Sequence, residues 1–442
     1  MGRECWGTPR SGGRRVFGVA GVVGALALVA AGCGSSASSS SSASSTTTSA
    51  SAGATQTAST SGVACGAFDP ATAPDPSGLL KTLPAAAQAS YAYDPSPVAS
   101  TPWAAFKGKK PPYKIGYIGE PYLGSGGWVG HVSAEFHKLA SQYKKEGLVS
   151  SFQEFTPPDP ATATPAQQIA AFQQMVRAHV DAILLLPLSD VAMTSVVDAA
   201  GKAGIPVIGV DTIIPGSKYG FSVWTNNNGP TYPATMKIIH GQGNVLIVRG
   251  IAGGPSEQLW YDEATQAVKD CPKAKVVGVV RSNWVDATAK TNILSFMAAH
   301  PGMKIDAVLQ MGGVTQGLIG SFLQLGGKMP AISVAPCTTG QLSYLLDHKK
   351  DGYDMASTCF SGYQTAWSSW GAMMRILGGR GPKTNYIPVS FNDKMITAAN
   401  VDSIAKPGVP VTATDEPPGP EDGWASDQYM DMWFNKPGTP GR

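Results

Sequence analysis

PPDPATATPAQQIAAFQQMVRAHVDAILLLPLSDVAMTSVVDAAGKAGIPVIGVDT, Pro157 to Thr212, carries two periodicities in turn. Pro165–His179 and Val191–Ala203 space their apolar residues as helices do. Asp181–Leu186 and Pro206–Asp211 are short and apolar; the run AILLLPL shows no alternation, the mark of a strand covered on both faces. Strand and helix therefore alternate, which predicts a parallel sheet. Working outward, Lys114–Ile118 and Ser151–Phe155 read as strands flanking a helix near Val129–Glu146. Downstream the rhythm resumes at Asn244–Arg249, Lys275–Arg281, Ala307–Gln310 and Ile332–Ala335, with helices at Glu257–Asp270 and Ala287–Ala299. So long an alternation exceeds one comfortable core and predicts two similar α/β lobes. Ligands of such sheets sit at the carboxyl ends of the strands.

The first of those ends is the loop in YKIGYIGEPYLGSGGWVGHV, Tyr113 to Val132. Gly119 and Gly124 have P-loop spacing, but Ser125-Gly126 stands where Lys-Ser/Thr would reach terminal phosphates. Gly124-Ser125-Gly126 begins a dinucleotide fingerprint, yet Val129 occupies its last glycine position. What the loop offers instead is a carboxylate and two aromatics: Glu120, Tyr122 and Trp128.

The N-terminus reads as an export signal: Arg3, Arg10, Arg14 and Arg15, an uncharged apolar run Val16–Ala31, then Gly32 and Cys33. The run is shorter than a spanning helix wants. Ala-Ala-Gly-Cys resembles a bacterial lipobox that would acylate Cys33, and Arg14-Arg15-Val16-Phe17 resembles a twin-arginine signal. Residues 33–62, almost entirely Ser, Thr, Ala and Gly, read as a flexible tether. Of the 33 basic and 30 acidic residues, four Arg and one Glu lie in 1–32, leaving 29 of each. That balance argues against a nucleic-acid partner. Cys65, Cys271, Cys337 and Cys359 remain after the signal, enough for two disulfides in an oxidising compartment, in three alternative pairings. Their spacings match no zinc site. The six histidines are scattered, and neither Gly-x-Ser-x-Gly nor His-Glu-x-x-His occurs. No metal, no cofactor and no enzymatic activity are expected.

With VDAILLLP, AGIPV, the terminal Asp211 and the later AHPGMKIDAVLQMGG on the page, Tyr113 to Leu377 resembles the type I periplasmic binding proteins, the ribose-binding-like substrate-binding components of ABC importers. The resemblance implies two Rossmann-like lobes with parallel sheets, joined by a three-segment hinge that closes on a solute. The implied organisation is a lipoprotein signal at 1–32, a tether at 33–62 and an N-terminal extension at 63–112. The N-terminal lobe would comprise 113–225 plus 361–387. The C-terminal lobe and tail would take 226–360 and part of 388–442. Crossings fall near Thr225–Gly229, near Thr358–Gly362 and after Pro388.

Carried over residue by residue, the pocket positions fall on Glu120, Tyr122, Trp128, Asp211 and Thr212 in the first lobe. In the second they fall on Trp260, Trp284, Gly312, Cys359 and Phe360. Several replace polar groups of the family's sugar rim: Trp260 an Arg, Gly312-Gly313 an Asn-Asp pair, Pro336 an Asp, and Cys359 or Phe360 a Gln. Hydrogen bonds to charged groups contribute roughly 1.5–3 kcal/mol each, so their loss together with the gain of Trp284 favours a flatter, less hydroxylated ligand. A sugar and an aromatic or cyclic solute are then rival expectations. Cys337 and Cys359 would end neighbouring strands and pair beside the pocket, leaving Cys65 with Cys271. Trp367 and Trp370 read as core. The implied partners are a small-molecule solute, an ABC permease and the membrane, through lipid on Cys33, with the chain a monomer on the outer face of the cell membrane. A ligand sensor passing its closed state to a membrane receptor is the alternative; a secreted enzyme is the remote one.

Overall fold

The computed structural model describes residues 64–68, 73–92, 94–121, 127–160, 162–224, 226–389, 395–417 and 425–438. The signal, the whole tether with Cys33, Tyr122, Thr225 and Trp424 lie outside the described residues. After helix α1 (Ala85–Ala89), the first lobe runs β1 (Tyr113–Ile118), α2 (Gly127–Lys145), β2 (Val149–Phe155), α3 (Pro165–Arg177), β3 (Ala182–Leu185), α4 (Asp190–Lys202), β4 (Val207–Val210) and β5 (Gly220–Trp224). The second runs α5 (Thr231–Ile238), β6 (Gln242–Arg249), α6 (Glu257–Lys269), β7 (Lys273–Arg281), α7 (Asp286–Ala299), β8 (Ala307–Gln310), α8 (Thr315–Leu325), β9 (Ala331–Val334), α9 (Thr339–His348) and β10 (Met355–Ser357). Then α10 (Gly362–Leu377) and β11 (Tyr386–Pro388) rejoin the first sheet, and α11 (Asp427–Asp431) lies in the tail.

Both sheets are parallel, in the orders β11-β5-β4-β3-β1-β2 and β10-β9-β8-β6-β7. The strands that read as unbroken apolar runs, β3, β4, β8 and β9, are buried at every residue. Some helices start where side chains supply the missing donors and acceptors. Thr164 and Gln167 form a capping box ahead of α3, with Pro165 at its first position, and Thr338 and Gln341 do the same for α9. Three strands escape a reading by hydrophobic pattern: β5, β10 and β11. The last two are three residues long, and Pro388 sits on an edge strand, where its missing N–H is tolerated.

One core cluster joins the facing sides of the two lobes. Trp224, ending β5, stacks on Trp260 of α6 with centroids 6.2 Å apart. Trp370 is fully buried on α10 against Phe136, Tyr143 and Phe152. After β11 the chain returns to the second sheet, where Ile396 bridges Ser357 at the edge. The tail then runs along α9: Val409 N–H donates to Ser343 Oγ (2.9 Å) and Thr339 N–H to the carbonyl of Asp415 (2.8 Å). Residues 425–438 wrap the first lobe, where buried Arg375 holds Asp427 at 2.8 Å and Asp431 at 3.0 Å. The N-terminal extension also spans both lobes. Cys65 is bonded to Cys271 at the end of α6, whereas Trp103 Nε1 donates to the carbonyl of Tyr219 (2.7 Å) and Tyr91 packs on Tyr386.

Candidate functional site

The carboxyl ends of the two sheets are brought towards each other, Asp190 after β3 meeting Ser256 after β6. On the first lobe, β1 ends in Gly119–Glu120, β3 in the loop to Asp190, and β4 in Asp211–Thr212. Gln168, buried on α3, binds two of these ends together: its Nε2 donates to the carbonyls of Gly119 (2.7 Å) and Leu186 (3.2 Å), and its Oε1 accepts from Leu188 N–H (2.7 Å). Burial pushes the Glu120 carboxyl up to about 8, so at neutral pH it is mostly a protonated donor. Asp190, beginning α4, is raised to about 6 by burial, partly offset by its own helix amides and by the Ser256 amide of the opposite lobe. That last contact reaches from one lobe to the other.

On the second lobe, Trp284 follows β7 in the left-handed region (φ 56°). Its Nε1 donates to the carbonyl of Met311 (3.0 Å), and its ring lies against the backbone of the loops after β6 and β8. A Cβ on Gly250 would stand 2.2 Å from Trp284 Nε1, and one on Gly312 would stand 2.8 Å from Trp284 Cδ1. The glycines therefore form the bed of the indole, and Gly312 acts through Trp284. Gly312 N–H in turn donates to Asn228 Oδ1 (3.4 Å), in the first crossing. Thr358 Oγ1 of the second crossing donates to the Asn227 carbonyl (3.0 Å). Next along, Cys359 is disulfide-bonded to Cys337, and Phe360 meets Trp128 edge to face, centroids 5.7 Å apart. Trp284, Gly312, Asn228, Asn227, Thr358, Phe360 and Trp128 thus form one chain of contacts along the hinge wall.

Some of the residues expected in the pocket serve elsewhere. Thr212 is fully buried, its Cγ2 close to where a Cβ on Gly209 would stand, so it packs into its own lobe. Trp260 faces inward onto Trp224. The Cys359 sulfur is committed to its disulfide. Asp211 sits at φ 51°, its N–H bonded to the Val223 carbonyl.

Other residues escape the sequence reading. Asn227 and Asn228 lie in a stretch, TNNNGP, that reads as a chain break; three consecutive amides bounded by a buried strand are the signal that was there to find. Trp128 Nε1, Asn227 Nδ2 and Asn228 Nδ2 are buried with no hydrogen-bond partner. Behind them, Glu263 of α6 accepts from Asn226 Nδ2 (2.6 Å) and is pushed to about 8 by burial, with Asp94 of the extension raised to about 6 beside it. Beside the Trp128 wall, Glu416 of the tail accepts from Gly362 N–H (2.9 Å) and from the Ser361 hydroxyl, and lies 2.8 Å from His131 Nδ1.

A model of the periplasmic binding protein domain matches residues 120–381, more than half of the chain. The chain belongs to the periplasmic binding proteins. It is 27% identical over 158 residues to the D-xylose-binding periplasmic protein of Escherichia coli, a match over 34% of this chain and 47% of that protein, so it spans about half the length of this curated relative. Among solved structures it is similar to the binding component of the arabinose ABC transporter from Shewanella sp. ANA-3, bound to L-arabinofuranose: TM-score 0.55, 18% identity, 66% of this chain and 93% of that one. It is also similar to the fructose-binding periplasmic domain of a hybrid two-component system: TM-score 0.55, 21% identity, 66% of this chain and 92% of that domain. These structures share the type I periplasmic binding protein fold of two parallel-sheet lobes. Among the described residues no helix is long and apolar enough to cross a membrane, and no cluster of His, Cys, Asp and Glu is fit to hold a metal.

Proposed function

We propose that this periplasmic binding protein captures a small uncharged solute in the interlobe cleft and delivers it to an ABC importer, acting as a binding protein and not as an enzyme. The observation that carries the reading is the hinge-side wall itself. Aromatic faces (Trp128, Phe360, Trp284) alternate along it with buried amide and indole donors that have no partner. An unmet buried donor costs roughly 1–3 kcal/mol, a cost that a bound solute removes. Closure would trap the solute, and its contacts with both lobes bias the open–closed equilibrium. Glu120 and Asp211 supply the first lobe's lip. In this reading residues 1–32 are an export signal, Cys33 carries lipid and 33–62 tether the lobes outside the cytoplasm, with the chain a monomer.

The test is thermal denaturation of the protein from Ala64 onward against sugars, polyols, aromatic acids, purines and cyclic amides. A solute at 100 times its Kd adds about 2.7 kcal/mol of stability. A raised Tm together with a smaller radius of gyration in solution scattering is the expected outcome; stabilisation without compaction sinks the closure mechanism. A second reading, a sensor that passes its closed state to a membrane receptor, draws on the likeness to the fructose-binding domain of a two-component system. Uptake of the bound solute by cells lacking the protein separates the two, because a sensor leaves transport intact.

A further inference from the structure

This inference deepens the proposed function and rests on the cleft being the solute site. We propose that the solute is a flat, uncharged ring bearing carbonyl or ring-nitrogen acceptors, of the cyclic-amide and nucleobase class, and not a polyhydroxylated sugar. The argument starts from which hydrogen-bonding groups remain unspent. Trp128 Nε1, Asn227 Nδ2 and Asn228 Nδ2 are all donors, all buried and all without a partner. Asn227 and Asn228 are 4% and 1% exposed, so bulk water does not serve them. The Asn228 side chain is held by its Oδ1, which accepts from Gly312 N–H, so its amide cannot turn away without losing that bond; Asn227 is held through its main chain, whose carbonyl accepts from Thr358 Oγ1.

A sugar hydroxyl accepts one hydrogen bond but must also donate one, so a ring of hydroxyls asks for acceptors, ionised carboxylates above all. Of the carboxylates at these strand ends, Asp190 is already spent on the Val191 and Ser256 amides, and Gln310 Oε1, ending β8, is a buried acceptor without a partner. Burial raises the Glu120 carboxyl, which favours its protonated, donating form. Gln364 Oε1, on the first turns of α10, is an unpartnered buried acceptor. A cyclic amide matches this set: its carbonyls accept from several donors, and its one or two N–H groups suit the few acceptors. The aromatic surfaces fit the same shape. Trp284 is pinned by its Nε1 bond and its glycine bed, and Trp128 and Phe360 are mutually braced. A base stacks favourably on an aromatic side chain because every base has a π-face.

The experiment titrates the protein from Ala64 onward by calorimetry with uracil, hypoxanthine and 2-pyrrolidone in one arm, and D-xylose, L-arabinose and myo-inositol in the other. Saturable heat is expected in the cyclic-amide arm alone. Asn228→Asp keeps the shape and the Oδ1 contact but turns the free donor into an acceptor, and should weaken that binding at least tenfold with the Tm held within a few degrees. Trp284→Ala should weaken it likewise. Binding in the sugar arm alone overturns this inference and leaves the solute-binding function standing. Equal affinity for Asn228→Asp and the parent overturns the donor argument. Heat in neither arm overturns the inference, and if the wider thermal panel is also silent, the binding function falls with it.

Discussion

Trp284 owes its pose to residues that carry no side chain. Gly250→Ala would drive a methyl into the indole nitrogen, and overpacking of this kind costs roughly 1–3 kcal/mol. Because the ring must move off its bed, solute affinity should fall by at least tenfold, measurable by calorimetry beside the Tm. A variant that loses stability but binds normally would remove Trp284 from the site. The buried carboxyls make a second prediction at this scale. Glu120 and Glu263 are both raised from an ordinary 4.5 to about 8. Between those values the folded protein holds protons that the unfolded chain has released. Their contribution is therefore complete below about pH 4.5 and is lost as pH rises through about 8. Glu263→Gln keeps an acceptor for Asn226 and abolishes the titration. The urea midpoint of the variant should fall less between pH 5 and pH 8 than that of the parent; parallel slopes would show that Glu263 is not raised.

At the scale of elements, the N-terminus of α10 is capped from far along the chain. Ser361 makes no side-chain cap of its own helix, and Glu416 accepts from Gly362 N–H and the Ser361 hydroxyl instead. A carboxylate there meets the positive end of the helix dipole and His131 together. Glu416→Ala leaves three polar groups unmet and should cost about 2 kcal/mol, read as a lower denaturant midpoint with unchanged m-value. Combined with His131→Asn, the loss should be less than additive; additive losses would mean that the two side chains do not act together. The same scale shows what hydrophobic pattern can carry. The strands β1 to β4 and β6 to β9 and the helices α2, α3, α4, α6 and α7 are legible, because each buries a repeating face; α8 is not named by that reading. β10 and β11 have three residues apiece, too few to express a period, and exist because a neighbouring strand supplies the ladder.

For the whole molecule, two segments outside the alternating core tie the lobes together. The disulfide Cys65–Cys271 closes 206 residues and Cys337–Cys359 only 22. On loop-closure entropy the first should contribute about 5 kcal/mol and the second about 3. Cys65→Ser/Cys271→Ser should therefore unfold at lower denaturant than Cys337→Ser/Cys359→Ser. The tail adds a second tie: residues 409–415 are bonded to α9 in the second lobe, Glu416 to α2 and α10 in the first, and residues 425–438 to Arg375. Opening must stretch or release these contacts. Truncation after residue 408 is expected to enlarge the solute-free radius of gyration, and an unchanged value would exclude the tail from control of closure.

By itself, the sequence determined the two parallel-sheet lobes and where their strands end. These follow from local periodicity and from which residue types are present, and neither depends on a distant partner. Only the tertiary structure separated the aromatics: Trp260 and Trp284 both look like pocket residues along the chain, yet one stacks into the core on Trp224 and the other lies on a bed of glycines. It also brought in Asn228, Gln168 and Glu416, whose roles are set by partners up to hundreds of residues away. A hydrogen bond left unspent in a buried site is a property of packing in three dimensions, and no reading along one dimension contains it.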